Sequence, residues 1–159
     1  GLAYFDKKAV IIGGGDAHRL HLDDMVLIKD NHIAIIGDIE QTVRKAKEKM
    51  SFSKKIEAEV SNLGEAEKAI AAGADIIMLD NFSSSEIKKT LTKLAKKRLG
   101  GKVLVEASGG INEENVLEYV SAGVDIVSLG GITASAESMD FSLEMTWVKG
   151  NRGAQNERR

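Results

Sequence analysis

A chain of 159 residues with 22 basic and 24 acidic side chains, net charge -2, has the size of one domain and offers no basic field for nucleic acid. It contains no cysteine, which excludes disulfides, thiolate zinc and thiol chemistry. No apolar run approaches ~18 residues, so no membrane-spanning helix is expected, and the first eight residues carry no signal-peptide pattern; a cytoplasmic setting is the plain expectation. Proline is absent, where average usage of ~5% predicts about eight.

In chain order, short apolar runs alternate with amphipathic stretches. Ala9-Val10-Ile11-Ile12 reads as a buried strand stopping at Gly13-Gly14-Gly15. Met25–Ile28, Lys55–Val60, Asp75–Leu79, Lys102–Ala107 and Asp125–Leu129 read as further strands, apolar on both faces as in a covered parallel sheet. Between them lie helix signals. Asp38 with Gln41 opens a stretch carrying Ile39, Val43, Ala46 and Met50 on one face. Asn62 with Glu65 opens a helix that ends at Gly73, and Ser83 with Glu86 opens one presenting Ile87, Leu91 and Leu94. Asn112 opens a fourth, with Val116, Leu117 and Val120 inward, ending at Gly123.

The order βαβαβα implies a parallel sheet. Ala71–Ile77 also matches Ser121–Val127 about 50 residues later, a period of two βα units that suits a barrel better than an open dinucleotide-binding sheet. The expected architecture is an incomplete, TIM-like parallel βα barrel of about six to seven strands over residues 1–148. One strand is either missing upstream or hidden near Phe141–Trp147. Residues 149–159 read as a polar, disordered tail.

Barrel sites lie at the C-terminal ends of the strands. There the sequence places His18 and Arg19, then Lys29, Glu59, Asp80, Ser108-Gly109-Gly110 and Gly130-Gly131. Ser108–Ile111 stands ahead of an expected helix N-terminus, and glycines let backbone N–H groups approach an anion, so these late loops suit a phosphate. His18, Arg19 and Lys29 are cationic donors for an anionic substrate. Glu59 and Asp80 are strand-end carboxylates of the kind that hold Mg²⁺, with Glu57 able to take the place of Glu59. His32 reads as a packed or capping histidine and His21 as a surface residue.

Gly13–Arg19, Leu27–Ile33 (Leu-Ile-Lys-Asp-Asn-His-Ile), Glu57–Val60, Met78–Asn81, Glu106–Ile111 and Asp140–Glu144 together resemble the quinolinate phosphoribosyltransferase family, also called nicotinate-nucleotide pyrophosphorylase. The likeness runs from about Tyr4 to Met145. It implies a usually dimeric, two-domain enzyme of NAD biosynthesis with a seven-stranded barrel. Such an enzyme joins quinolinate to phosphoribosyl pyrophosphate with Mg²⁺, releasing pyrophosphate and CO₂ and leaving nicotinate mononucleotide. By resemblance, His18, Arg19 and Lys29 hold the quinolinate carboxylates. Lys29, Glu59 and Asp80 are catalytic, Glu59 and Asp80 also serving the ribose hydroxyls and the metal. Ser108, Gly109, Gly110, Gly130 and Gly131 hold the 5′-phosphate.

The chain departs from the family pattern in places. The family has an N-terminal domain and an Arg-Lys-bearing strand ahead of the segment matching Gly1. Ala3 stands where Arg is common, Ala134 where Thr-His-Ser is usual, and Ala17, Ser84 and Glu137 where proline is frequent. Weak or no turnover by this chain alone is therefore expected. The alternative is a non-catalytic or engineered barrel fragment of the family that keeps the phosphate-binding site.

Overall fold

The structure, a computed structural model, describes residues 1–145. Its elements in order are α1 (Ala3–Ile12), β1 (Val26–Ile28), α2 (Asp30–Ile36), α3 (Ile39–Lys49), β2 (Ile56–Val60), α4 (Leu63–Ala72), β3 (Ile76–Asp80), α5 (Ser84–Lys96), β4 (Leu104–Ser108), α6 (Val116–Ala122), β5 (Ile126–Val127) and α7 (Gly131–Ala134). The five strands form one parallel sheet in the order β1-β2-β3-β4-β5. A strictly sequential order has no switch point, unlike a doubly wound sheet. Among the described residues the sheet is open, with β1 and β5 as its edges. No described helix is long and apolar enough to cross a membrane.

Local chemistry accounts for the helices around the sheet. Asp38, Asn62 and Ser83 each accept a backbone N–H of the first helical turn, from Gln41, Glu65 and Glu86 respectively. Glu86 returns the favour by accepting the Ser83 N–H at 2.8 Å, completing a capping box. Gly73 and Gly123 end α4 and α6 in the left-handed conformation. The repeated Ala-Gly-x-Asp-Ile segment has one structural use in both copies. Asp75 Oδ2 accepts the Ile56 N–H, and Asp125 Oδ2 accepts the Val105 N–H, each at 2.8 Å. Each aspartate thereby ties the start of its own strand to the start of the strand before it.

One face of the sheet carries the core. Ile28, Ala58, Val60, Ile77, Leu79, Val105 and Ala107 pack against Ile39 and Val43 of α3, Ala66 and Ala69 of α4, and Ile87 and Leu94 of α5. These apolar strand residues recur at every second position, so a single pleat register buries them all.

Several expectations need correction. Ala9–Ile12 is the last turn of helix α1, not a strand. A four-residue apolar run cannot by itself separate the two, and here no turn residue interrupts it from Ala3 onward, so the helix continues to Gly13. Among the described residues five strands are present rather than six, and Phe141–Met145 contains none; Thr146 and Trp147 lie outside the described residues. The segment after Lys29 is the unforeseen helix α2, closed by Gly37 in the left-handed conformation. On α6, Leu117 and Val120 are exposed, and Val116, Tyr119 and Ala122 meet the core instead. The end of the expected domain (146–148) and the expected polar tail (149–159) lie outside the described residues.

Candidate functional site

Strand register sorts the side chains. Leu27 pairs with Glu57 and Glu57 with Ile76, while Glu59 pairs with Met78 and Met78 with Glu106. Asp80 pairs with Ser108, and Glu106 with Ile126. Neighbouring strands present paired residues on the same side and alternate along their length. The face opposite the helices therefore carries Lys29, Glu57, Glu59, Asp80, Glu106, Ser108 and Ser128. Seven polar or charged residues on one face of an otherwise apolar sheet mark where its chemistry lies.

At the C-terminal rim, Lys29 Nζ lies 3.9 Å from Glu59 Oε2. The Glu59 carboxyl is held above its usual range by partial burial and by the Asp80 charge, with Lys29 opposing. Asn81 takes a left-handed conformation, φ 56°, directly after Asp80. From there its side-chain amide donates to Asp80 Oδ2 at 2.6 Å, and its backbone N–H donates to the Ser108 carbonyl at 2.9 Å. The rim thus aligns Lys29, Glu59, Asp80 and Ser108 on four successive strands, with Asn81 stitching β3 to β4.

The glycine loops occupy the same rim. Gly109 has φ 94°, and a Cβ there would stand 2.9 Å from the Asn81 backbone nitrogen. No other residue fits that close approach. Gly110 also has positive φ, and Asn115 Nδ2 donates to its carbonyl at 3.0 Å. Helix α6 begins only at Val116, so Ser108–Ile111 does not abut a helix N-terminus as expected. Asn112 Oδ1 instead accepts the Glu114 and Asn115 N–H groups and builds a separate turn ahead of the helix. Gly130 and Gly131 follow β5 at the same end, at the start of the short α7.

One pleat deeper sit Glu57 and Glu106, 0% and 1% exposed. His18 Nε2 lies 3.0 Å from Glu57 Oε2 and 3.7 Å from Glu106 Oε2. His18 has φ 53°, and its N–H donates to Asp16 Oδ1 at 2.8 Å. The loop after α1 thereby delivers the imidazole onto the polar face. Ser128 Oγ donates to Glu106 Oε1 at 2.5 Å. Burial, and then the Glu106 charge, push the Glu57 carboxyl up to about 8; the Arg19 charge opposes that rise. Glu57 Oε1 and Glu106 Oε2 have no hydrogen-bond partner among the described residues.

A cavity of about 470 Å³ opens at the opposite end of the sheet, lined by Leu99, Gly101, Val103, Asp75 and Asp125 among others. Its two aspartates already accept strand N–H groups, so it offers little free chemistry.

The structure therefore gathers Lys29, Glu59, Asp80, Ser108, Gly109 and Gly110 at one rim, with Gly130 and Gly131 at the same end of the sheet. It draws His18 to two carboxylates beneath that rim. Glu106 and Ser128 did not stand out in the sequence as site residues. Their signal was faint: an acid and a hydroxyl at alternate positions of strands that are otherwise apolar. His32 Nδ1 accepts the Lys29 N–H at 2.9 Å, the capping role read from the sequence, and His21 is exposed.

Residues 1–144 match the family described as quinolinate phosphoribosyl transferase, C-terminal domain. The chain is 52% identical over 149 residues to a probable nicotinate-nucleotide pyrophosphorylase (carboxylating) of Methanothermobacter thermautotrophicus, a match covering 94% of this chain and 53% of that protein. It is 39% identical over 145 residues to the human nicotinate-nucleotide pyrophosphorylase (carboxylating), covering 91% of this chain and 48% of that one. The crystal structure of NadC from Streptococcus pyogenes superposes with a TM-score of 0.81 at 41% identity, covering 91% of this chain and 49% of that one. The chain spans about half the length of the curated relatives it matches.

Proposed function

The chain belongs to the quinolinate phosphoribosyl transferase family, as its C-terminal domain, and on that premise we propose that its polar rim is where quinolinate meets phosphoribosyl pyrophosphate. The products are nicotinate mononucleotide, pyrophosphate and CO₂. One observation carries the reading: Lys29, Glu59, Asp80 and Ser108 stand in adjacent registers on one face at the C-terminal strand ends, with Lys29 Nζ 3.9 Å from Glu59. The sequential parallel order supports reading the sheet as a sector of an incomplete barrel, one domain over 1–148. The open edges, with exposed Leu2, Tyr4 and Phe5 on or beside α1, support self-association as a dimer.

In this reading Lys29, Arg19 and His18 neutralise the quinolinate carboxylates. Ser108, Gly109, Gly110, Gly130 and Gly131 hold the 5′-phosphate through backbone N–H groups and one hydroxyl. Glu59 and Asp80 face the ribose hydroxyls. Their negative charge sits beside a ribose carbon that becomes oxocarbenium-like as pyrophosphate departs, which lowers the barrier by electrostatic stabilisation. Holding the ring nitrogen in line with that carbon supplies the remainder by orientation. Ribosylation then leaves the ring nitrogen positive, which draws the electron pair released as CO₂ leaves.

Mg²⁺ fits this rim. Glu59 and Asp80 form an all-oxygen donor pair, and partial burial together with the Asp80 charge raises the Glu59 carboxyl, with Lys29 opposing. Bound there with substrate phosphate oxygens, the ion would neutralise charge building on the leaving pyrophosphate.

The test is release of labelled CO₂ from quinolinate, dependent on phosphoribosyl pyrophosphate. It is run with the chain alone and with the chain joined to the unmatched part of the 52%-identical relative. The joined protein is expected to turn over and Lys29→Ala to abolish it. The chain alone is expected to bind phosphoribosyl pyrophosphate in calorimetry with little or no turnover. No product from the joined protein would remove the reading and leave a phosphate-binding scaffold.

A further inference from the structure

The Glu57–Glu106 pair is not explained by the chemistry proposed for the rim. Glu57 precedes Glu59 by two residues on the same face, which puts it roughly 6.6 Å deeper along β2. Both carboxylates are buried, and each keeps one oxygen without a hydrogen-bond partner. Among the described residues no Lys or Arg lies within 4.0 Å of either. The nearest basic group is His18, whose Nε2 sits 3.0 Å from Glu57 and 3.7 Å from Glu106.

We propose that His18 Nε2, Glu57 and Glu106 form a binding site for one divalent transition-metal ion of the Zn²⁺, Co²⁺ or Mn²⁺ type, separate from the Glu59–Asp80 pair. The three donor atoms come from a loop, β2 and β4, and all lie within 4.8 Å of one another. Ligands held about 2.1 Å from an ion stand roughly 3.0–3.4 Å apart, so closure needs shifts of only tenths of an ångström for the His18 pairs. The supports are already in place. Ser128 fixes Glu106 through Oε1 and leaves Oε2 facing His18. Asp16 holds the left-handed turn that presents the imidazole. Such outer partners orient ligands in metal sites. One imidazole with two carboxylates suits borderline ions, whereas Mg²⁺ and Ca²⁺ prefer all-oxygen shells. Three protein ligands leave coordination positions open, and His18, 33% exposed, faces the solvent side where a further ligand can enter.

The site shares His18 with the proposed quinolinate contacts, but its test uses the metal alone, so its failure and the failure of the phosphoribosyl reading are distinguishable. The full chain, stripped with chelator, is titrated with Co²⁺ and followed by visible absorption, then with Zn²⁺ by calorimetry. One equivalent is expected, with Zn²⁺ displacing Co²⁺ and a hundredfold excess of Mg²⁺ failing to do so. His18→Ala, Glu57→Gln and Glu106→Gln should each weaken binding at least about tenfold, while Glu59→Gln and Asp80→Asn leave it within about twofold. Should the buried glutamine variants fail to fold, His18→Ala on its loop, checked by circular dichroism, carries the test. A shift of the His18 ring resonances on Zn²⁺ addition gives a second readout. Absence of uptake, or uptake that survives Glu57→Gln and is lost in Glu59→Gln, overturns the proposal.

Discussion

The two faces of the sheet are cut from the same five strands, yet they obey different rules. On the helix side Ile28, Ala58, Val60, Ile77, Leu79, Val105 and Ala107 are buried and make no polar demand. On the other side the intervening positions hold Lys29, Glu57, Glu59, Asp80, Glu106 and Ser108. Alternation along a strand lets one segment serve stability and chemistry at once, because a change on one side leaves the pleat of the other intact. The helix face supplies the stability that lets the polar face hold buried carboxylates at all.

That division can be broken most severely from the apolar side. Leu79→Ala, at a fully buried position, should destabilise by about 2–5 kcal/mol in urea unfolding. A loss under about 1 kcal/mol would mean that the helices do not rest on this face as described. The next largest effect is expected at the rim. Gly109→Ala meets both a positive φ and the Asn81 backbone and should cost about 1–3 kcal/mol. It should also weaken phosphate binding, and a neutral outcome would show that the loop is not tightly seated on β3.

The polar face sharpens the comparison through pH. The folded Glu57 carboxyl titrates near 8 and its ordinary value is 4.5, so the folded state holds a proton that the unfolded state has released. The associated stability is fully present below about 4.5 and is lost as pH rises through about 8, with a slope of at most about 1.4 kcal/mol per pH unit. Thermal unfolding from pH 5 to 8 should follow that slope and flatten in Glu57→Gln. An unchanged slope in the variant would place the titration elsewhere. The smallest effect belongs to neither face. Asn62→Ala removes the cap of α4 and should cost about 1 kcal/mol by the same denaturation, with the rim unaffected.

The legible parts of this protein were those whose cause is local. Asp38, Asn62 and Ser83 cap the helices that their spacing announced, and the Asp-Ile strand starts recur where the repeat placed them. Glu59 and Asp80 could be assigned to strand ends because β2 and β3 are followed by the capping signals at Asn62 and Ser83, and Lys29 because the apolar run Met25–Ile28 stops there. Ala9–Ile12 was misread because a four-residue apolar run before glycine satisfies either period. Its exposure in α1 is a fact of packing, invisible in the run itself.

By itself, then, the amino-acid order determined the parallel α/β class, the family, the capped starts of α3, α4 and α5, and the strand-end positions of Lys29, Glu59 and Asp80. Only the tertiary structure decided that His18, Glu57 and Glu106, drawn from three distant segments, bring their donor atoms together. Burial and mutual repulsion come into being when β2 and β4 flank β3 and the loop after α1 closes over them. No local pattern encodes an interaction whose partners become neighbours only in the folded chain.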